Sequence, residues 1–255
     1  MKITFLGTGT SQGVPVIACN CEVCRSSDPH DTRLRTSALV KTNSGKNILI
    51  DIGPDFRAQM LREQVSHIDG ILLTHAHRDH VGGLDDIRSF NYVQHCKMQI
   101  YGNSIALDTI TRDYHYIFEE HEFQGLPEAD LHPLSGDDPF ELCGISIVPI
   151  KAHHKTLPVL GYRIGDFSYI TDCNSVLPSE RLKMNGSKVL VVGALRKEKH
   201  FSHFCLAEAL QLISEVNPHI AFLTHMSHEM GLSAETELQL PPNVHLAYDG
   251  LAIDI

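Results

Sequence analysis

Short apolar runs rich in β-branched and aromatic residues recur along the chain, separated by polar, Gly and Pro positions. They predict strands at KITFLG (2–7), SALVKT (37–42), NILIDI (47–52), GILLTH (70–75), MQIYG (98–102), ISIVPI (145–150), LGYRIG (160–165), FSYIT (167–171), KVLVVG (188–193), HIAFLT (219–224) and VHLAYD (244–249). Helical spacing is clearest in FCLAEALQLISEVN (204–217). There Leu206, Ala209, Leu210, Ile213 and Val216 share one face, Ser202 is placed to cap the start, and Pro218 ends the run. Further helices are expected over about 54–64, after His80 through LDDIRSF, and over about 104–121. The segment 122–143, punctuated by Pro, Gly and Asp, reads as a long connection. No repeat or linker divides the chain, so residues 1–255 are expected to form one mixed α/β domain, with sheets flanked by helices.

Polar residues of ligand type fall where the apolar runs stop. Asp51, His75, His154, Asp172 and His225 each fall at the end of an apolar β-run. A site assembled from loops at one edge of a sheet scaffold has this signature.

Composition narrows the partners. A hydrophobic fraction of 42% and a charged fraction of 20% are those of an ordinary globular protein. The net charge of −10 argues against a large nucleic-acid surface, which needs a basic footprint. It leaves room for a small phosphorylated substrate held by a local group of cations. MKITFLGTGTSQG lacks the apolar core of a signal peptide, and no run approaches the length of a membrane span. The expectation is a cytoplasmic protein without membrane contact, its cysteines reduced or bound to metal. A homodimer is the commonest oligomer of such chains.

Two clusters carry candidate chemistry. The first is His75-Ala76-His77-Arg78-Asp79-His80, at the end of ILLT and ahead of a Gly-Gly pair. Four imidazole and carboxylate donors in six residues suit zinc, manganese or iron. An irregular turn could direct His75 and His77 to one ion, and Asp79 and His80 to its neighbour. The second cluster is CNCEVC, with thiols at Cys19, Cys21 and Cys24. Three soft thiolates suit a structural zinc and leave one tetrahedral position to fill; a redox role or a disulfide is the other reading.

The H-x-H-x-D-H pattern after a strand resembles the metallo-β-lactamase superfamily, and the resemblance runs over essentially the whole chain. It implies an αβ/βα four-layer sandwich with a two-metal site along one edge. The resemblance then implies a later His from the pair His153-His154; His154 is preferred because its spacing to Pro149 and to Gly161-Tyr162 resembles that of the nearest relatives, with His153 the close competitor. A bridging Asp matches Asp172 in YITDC, and the last His matches His225 in FLTHMSH. The resemblance thus implies one metal on His75, His77 and His154, a second on Asp79, His80 and His225, and Asp172 shared.

FLGTGTSQGVP, CNCEVC and the closing HLAYDGLAI resemble the PhnP type of cyclic-phosphate phosphodiesterase, and more distantly tRNase Z and PqqB. That implies a two-metal phosphodiesterase for a small cyclic ribose or nucleotide diester, with Asp79 and His203 as catalytic residues. His203 would protonate the leaving alkoxide, with His200 as the local alternative. Arg88 would hold substrate phosphate, as would, more weakly, Arg33, Arg35 and Arg196. His228 would complete a Cys3His structural zinc with Cys19, Cys21 and Cys24. The Gly-rich basic arm of a tRNase Z has no counterpart here. A lactonase or thioesterase would use the same metals with less need of His203.

Overall fold

A computed structural model describes residues 1–119 and 125–255. It has two seven-stranded sheets packed face to face, with helices on both outer sides.

The first sheet contains β1 (Lys2–Gly7), β2 (Ser37–Lys41), β3 (Asn47–Ile50), β4 (Gly70–Leu72), β5 (Met98–Gly102), β6 (Ala129–Pro133) and, at its far edge beside β1, β14 (Ala252–Asp254). The second runs from β7 (Phe140–Leu142) through β8 (Ile145–His154), β9 (Leu157–Ile164), β10 (Phe167–Ile170), β11 (Val189–Gly193) and β12 (Ile220–Thr224) to β13 (Val244–Leu246). Each sheet is antiparallel in one half and parallel in the other, the parallel halves being β3-β4-β5-β6 and β10-β11-β12-β13. Parallel neighbours need crossover connections, and these supply the outer helices.

The strands bury both faces, which is why they read as nearly continuous apolar runs. Side chains alternate between two cores. Ile48 and Ile50 point between the sheets while Leu49 faces the helices; Val189 and Val191 do the same against Leu190 and Val192. Over the first sheet lie α1 (Phe56–Arg62), α2 (Arg78–Val81), α3 (Ile87–Gln94), α4 (Ser104–Asp113) and α5 (His115–Phe118). Over the second lie α6 (Pro178–Arg181), α7 (Leu206–Val216) and α8 (Ser233–Glu237).

The structure departs from the sequence reading in several places, one of them the unpredicted edge strand β14. The connection expected over 122–143 contains β6 and β7, both at sheet edges. Their half-exposed residues and flanking prolines hide the strand pattern; residues 120–124 lie outside the described residues, as does the end of the helix expected over 104–121. The helix after His80 is broken at Gly82-Gly83 into α2, a 3₁₀ turn at Leu84–Asp86, and α3. The amphipathic helix begins at Leu206, capped by Cys205 with Glu208 reaching back to the Cys205 N–H, so Ser202 is not its cap. The last predicted strand stops at Leu246, because Asp249 turns away to accept hydrogen bonds from Thr8 Oγ1 (2.8 Å) and Leu34 N (2.7 Å).

Candidate metal centre

The strand ends named above converge on one rim of the sandwich. His75 follows β4 by way of Leu73 and Thr74, and the turn into α2 presents His77, Asp79 and His80. His154 ends β8, Asp172 follows β10, and His225 follows β12. Asp51, Asp172 and His225 all have left-handed backbones, with φ of 62°, 47° and 57°. Such a conformation is uncommon outside glycine and is held only where the surroundings enforce it. Here it ends the strand and swings each side chain toward the shared centre.

The donor atoms form three overlapping groups, each with all members within 4.8 Å: Asp79, His80, Asp172 and His225; His75, His77 and Asp172; and His154, Asp172 and His203. Asp172 is common to all three. The His154 ring lies 5.1 Å from that of His77 and 4.4 Å from that of His203, so it joins the two sides. His153 points to the other face of β8, while its backbone bonds Ser175 and Asn174. The structure therefore brings His154, and not His153, to the cluster.

Supporting hydrogen bonds orient the rings. Asp51, fully buried, accepts from Thr74 N and Thr74 Oγ1, both at 2.8 Å, and from His80 Nδ1 at 2.7 Å. That bond keeps a proton on His80 Nδ1 and turns Nε2 toward Asp79 and Asp172, each 3.4 Å away. Thr74 Oγ1 also reaches His75 Nδ1 at 3.0 Å, and the Ser202 carbonyl holds His154 Nδ1 at 2.8 Å. Metal-bound imidazoles are fixed by partners of this kind. The Asp51 signal was visible as a polar residue ending a strand; the contributions of Thr74 and of the Ser202 carbonyl left no mark in the sequence.

The donor set fits divalent cations. Nε2 of His80 and both nitrogens of His225 are buried without a hydrogen-bond partner among the described residues. Burial alone would strip the proton from His80 and His225. Asp172 and Asp79 outweigh it and hold both rings above their usual value, His225 at about 9. Burial also opposes ionisation of Asp79 and Asp172, yet His80 and His225 keep both carboxyls well below the usual range. The centre thus demands positive charge in a dry place, which bound metal supplies without protons.

His203 stands at the mouth of the cluster, its ring stacked 5.2 Å from that of His225 and free of hydrogen bonds to other described residues. Burial pushes it down to about 3. Its loop is braced by Arg196, which bonds Glu229 (2.8 Å) and the carbonyls of Glu198 and Lys199. His200 packs 5.2 Å from the His203 ring but outside the donor groups.

The structure does not bring the other arginines to the cluster. Arg88 is paired with both oxygens of Asp85 at 3.0 Å and lines a separate cavity with Ser89 and Tyr92. After the Gly82-Gly83 break, α3 runs away from the donors. Arg35 is tied to Asp55 at 3.0 Å, and Arg33 is buried against Ser233 at 2.7 Å.

The thiols of Cys19, Cys21 and Cys24 lie 3.4, 3.2 and 3.5 Å from His228 Nδ1. The Cys24 N–H, aimed at Cys21 Sγ, lowers that thiol to about 6, with His228 adding to the effect. Four mutually close soft donors fit a tetrahedral ion. The N-terminal loop is joined to the His225 segment a second way: Met226 N bonds Thr8 O (2.9 Å), and Thr10 N bonds Met226 O (3.1 Å).

Two facing sheets with a His/Asp cluster on one rim define the metallo-β-lactamase fold, with donors placed for divalent metal. The chain belongs to the beta-lactamase superfamily, whose domain model matches residues 46–226. It is similar to the crystal structure of a diphosphatase from the PhnP family, with a TM-score of 0.92 and 36% identity over 99% of this chain and 96% of that one. It also shares its fold with Zn(2+)-bound PqqB from Methylobacterium extorquens, at a TM-score of 0.78 and 18% identity, both chains being covered completely (100%). In sequence it is 39% identical, over 98% of its length, to an octanoyltransferase of Porphyromonas gingivalis (strain ATCC BAA-308 / W83). The chain spans about half of that protein, 51% of its length. Among the described residues no helix is long and apolar enough to cross a membrane.

Proposed function

We propose that the protein is a two-metal phosphodiesterase acting on a small diester, such as a cyclic ribose phosphate or a cyclic nucleotide. The observation that carries this reading is His203, a ring free of hydrogen bonds to other described residues, set against His154 and His225 at the open side of a complete donor cluster. The 36% identity to a PhnP-family diphosphatase supports it.

In this reading His75, His77 and His154 hold one ion, Asp79, His80 and His225 hold the other, and Asp172 serves both. Zinc or manganese bound there would polarise the phosphoryl oxygens and activate a water. His203 donates a proton from a ring nitrogen to the departing sugar oxygen, which leaves poorly as an alkoxide. An anionic phosphate beside the ring favours its protonated form and so opposes the effect of burial. Asp51 and Thr74 keep His80 and His75 facing inward. Cys19, Cys21, Cys24 and His228 hold a structural zinc that does no chemistry. The working form is a cytoplasmic protein, acting as a homodimer.

The test is a panel of cyclic and linear phosphodiesters with bound metal measured. His203→Ala should lose about 10²–10⁴-fold in kcat on alkyl leaving groups and far less on p-nitrophenolate, which needs no proton. Full turnover of an alkyl diester by the variant would refute the role of His203. A thioester hydrolase is the second reading, favoured by the 39% identity to half of an octanoyltransferase; an octanoyl thioester belongs in the same panel.

A further inference from the structure

Beside the metal centre, on the side away from His203, lies a notch of about 130 Å³. Buried His75 and exposed His77 border it on the metal side; Ile105 and Ala106 of α4, with Leu157 and Pro158 of β9, form its walls. Neither His203 nor His225 lines it. His154 stands between, its ring close to His77 on one side and His203 on the other.

Among the described residues no Lys, Arg, Asp or Glu lines the notch. Its two other polar side chains, Asn103 and Thr109, are used within its own walls. Asn103 accepts from Ala106 N at 2.8 Å and donates to the Pro158 carbonyl at 3.2 Å, and Thr109 donates to the Ile105 carbonyl at 2.8 Å. A charged group entering here would give up its water and find no counter-charge on the walls, which is costly. An apolar group gains by leaving water. The volume is close to the ~150 Å³ of an apolar cavity that holds one benzene ring.

We propose that this notch is a specificity subsite for an uncharged, apolar group about the size of one ring, carried by the substrate on its non-leaving side. The inference rests on the phosphodiesterase reading above. It selects diesters with a compact neutral arm next to the hydrolysed phosphate, and disfavours those that place a second phosphate there. Ile105, 48% exposed at the mouth, and Thr109 set the width and polarity of the opening.

Phenyl p-nitrophenyl phosphate and methyl p-nitrophenyl phosphate share a leaving group and differ only in the arm that would enter the notch. The metal-loaded protein should prefer the phenyl ester in kcat/KM by about tenfold or more, the scale on which apolar pockets discriminate. Ile105→Asp, which places a charge at the mouth, and Thr109→Trp, which fills the opening, should each bring that ratio close to one. Equal kcat/KM for the two esters in the unsubstituted protein, or a preference that survives both substitutions, overturns the subsite. If neither ester turns over, the phosphodiesterase reading fails, and calorimetry with phenylphosphonate against methylphosphonate reads the notch by itself. Tighter phenyl binding abolished by Thr109→Trp then supports the subsite, and equal binding overturns it.

Discussion

Replacing Asp51 by Asn exchanges one carboxylate oxygen for an NH2 group in a place with no access to water. The fold itself should tolerate the change, since Asn adopts the left-handed conformation that residue 51 holds. Its Oδ1 can still accept from Thr74 N. The amide NH2, however, now faces Thr74 Oγ1 and His80 Nδ1, which the carboxylate had engaged at 2.8 and 2.7 Å. A hydrogen bond to a charged group contributes about 1.5–3 kcal/mol, and part of that is lost. If His80 switches tautomer to accept the new donor, its proton moves to Nε2, the atom turned toward Asp79 and Asp172. Either outcome weakens metal binding. Loss of such an orienting partner costs about 10–100-fold in affinity, or about 1.4–2.8 kcal/mol. Competition of Mn²⁺ against a fluorescent chelator reads this at the His/Asp centre, because manganese avoids the thiolate cluster. Urea unfolding of the metal-free protein gives the stability cost separately. A variant that folds and binds manganese as tightly as the parent would refute the orienting role of Asp51.

Three further outcomes follow from the geometry. His228→Ala should remove one zinc per chain, measured by atomic emission, while metal at the His/Asp centre remains; each kcal/mol of stability lost with it lowers Tm by about 2–4 °C for a chain of this size. Burial raises the Asp249 carboxyl from its usual 3.8 to about 6. Its protonated form therefore suits the fold better than the ionised one, and stability from this group is full below about pH 4 and lost as pH rises toward 6. Asp249→Asn should flatten that slope in urea titrations, by an amount on the order of 3 kcal/mol; an unchanged slope would show that another group sets it. Gly53→Ala should lower metal content without abolishing folding, since its Cβ would lie 2.2 Å from the Asp79 carbonyl oxygen and push the metal-bearing turn outward; full metal occupancy in that variant would contradict this.

The donor cluster could be read from the sequence because each donor follows an apolar run, and apolar runs are what the two-faced burial of this fold produces. His75, Asp172 and His225 needed no tertiary information to be placed at strand ends. The choice between His153 and His154 did need it. A one-residue shift along β8 exchanges the faces, and nothing local shows which face looks toward Asp172. Arg88 could not be placed for a related reason: its helix was identified, but the direction of α3 is set by the Gly82-Gly83 break and by packing of Ile87 and Phe90. The edge strands β6, β7 and β14 escaped because each has one partner strand and little burial, so their residues carry no clear alternation. Asn103 and Ile105 lie far from Leu157 in sequence, and only the packing of α4 against the start of β9 makes a pocket of them.

Consider the order in which this chain can assemble. Cys21 meets His228, 207 positions further along, and Thr8 and Thr10 grip Met226 over a similar span. Contacts of such long separation close late, because the entropy of the intervening loop must first be overcome. During synthesis the N-terminal loop can pair early with residues 33–36, as Gly9 N does with Leu34 O and Val14 N with Arg33 O, but its second fastening waits until residues 225–228 have emerged. The same segment delivers His225. A nascent chain can expose His75, His77 and His80, but it cannot finish the second set of donors before the loop is fastened. The donor cluster thus stays incomplete until translation has passed residue 225, and a chain truncated ahead of it would lack the donor and the fastening together.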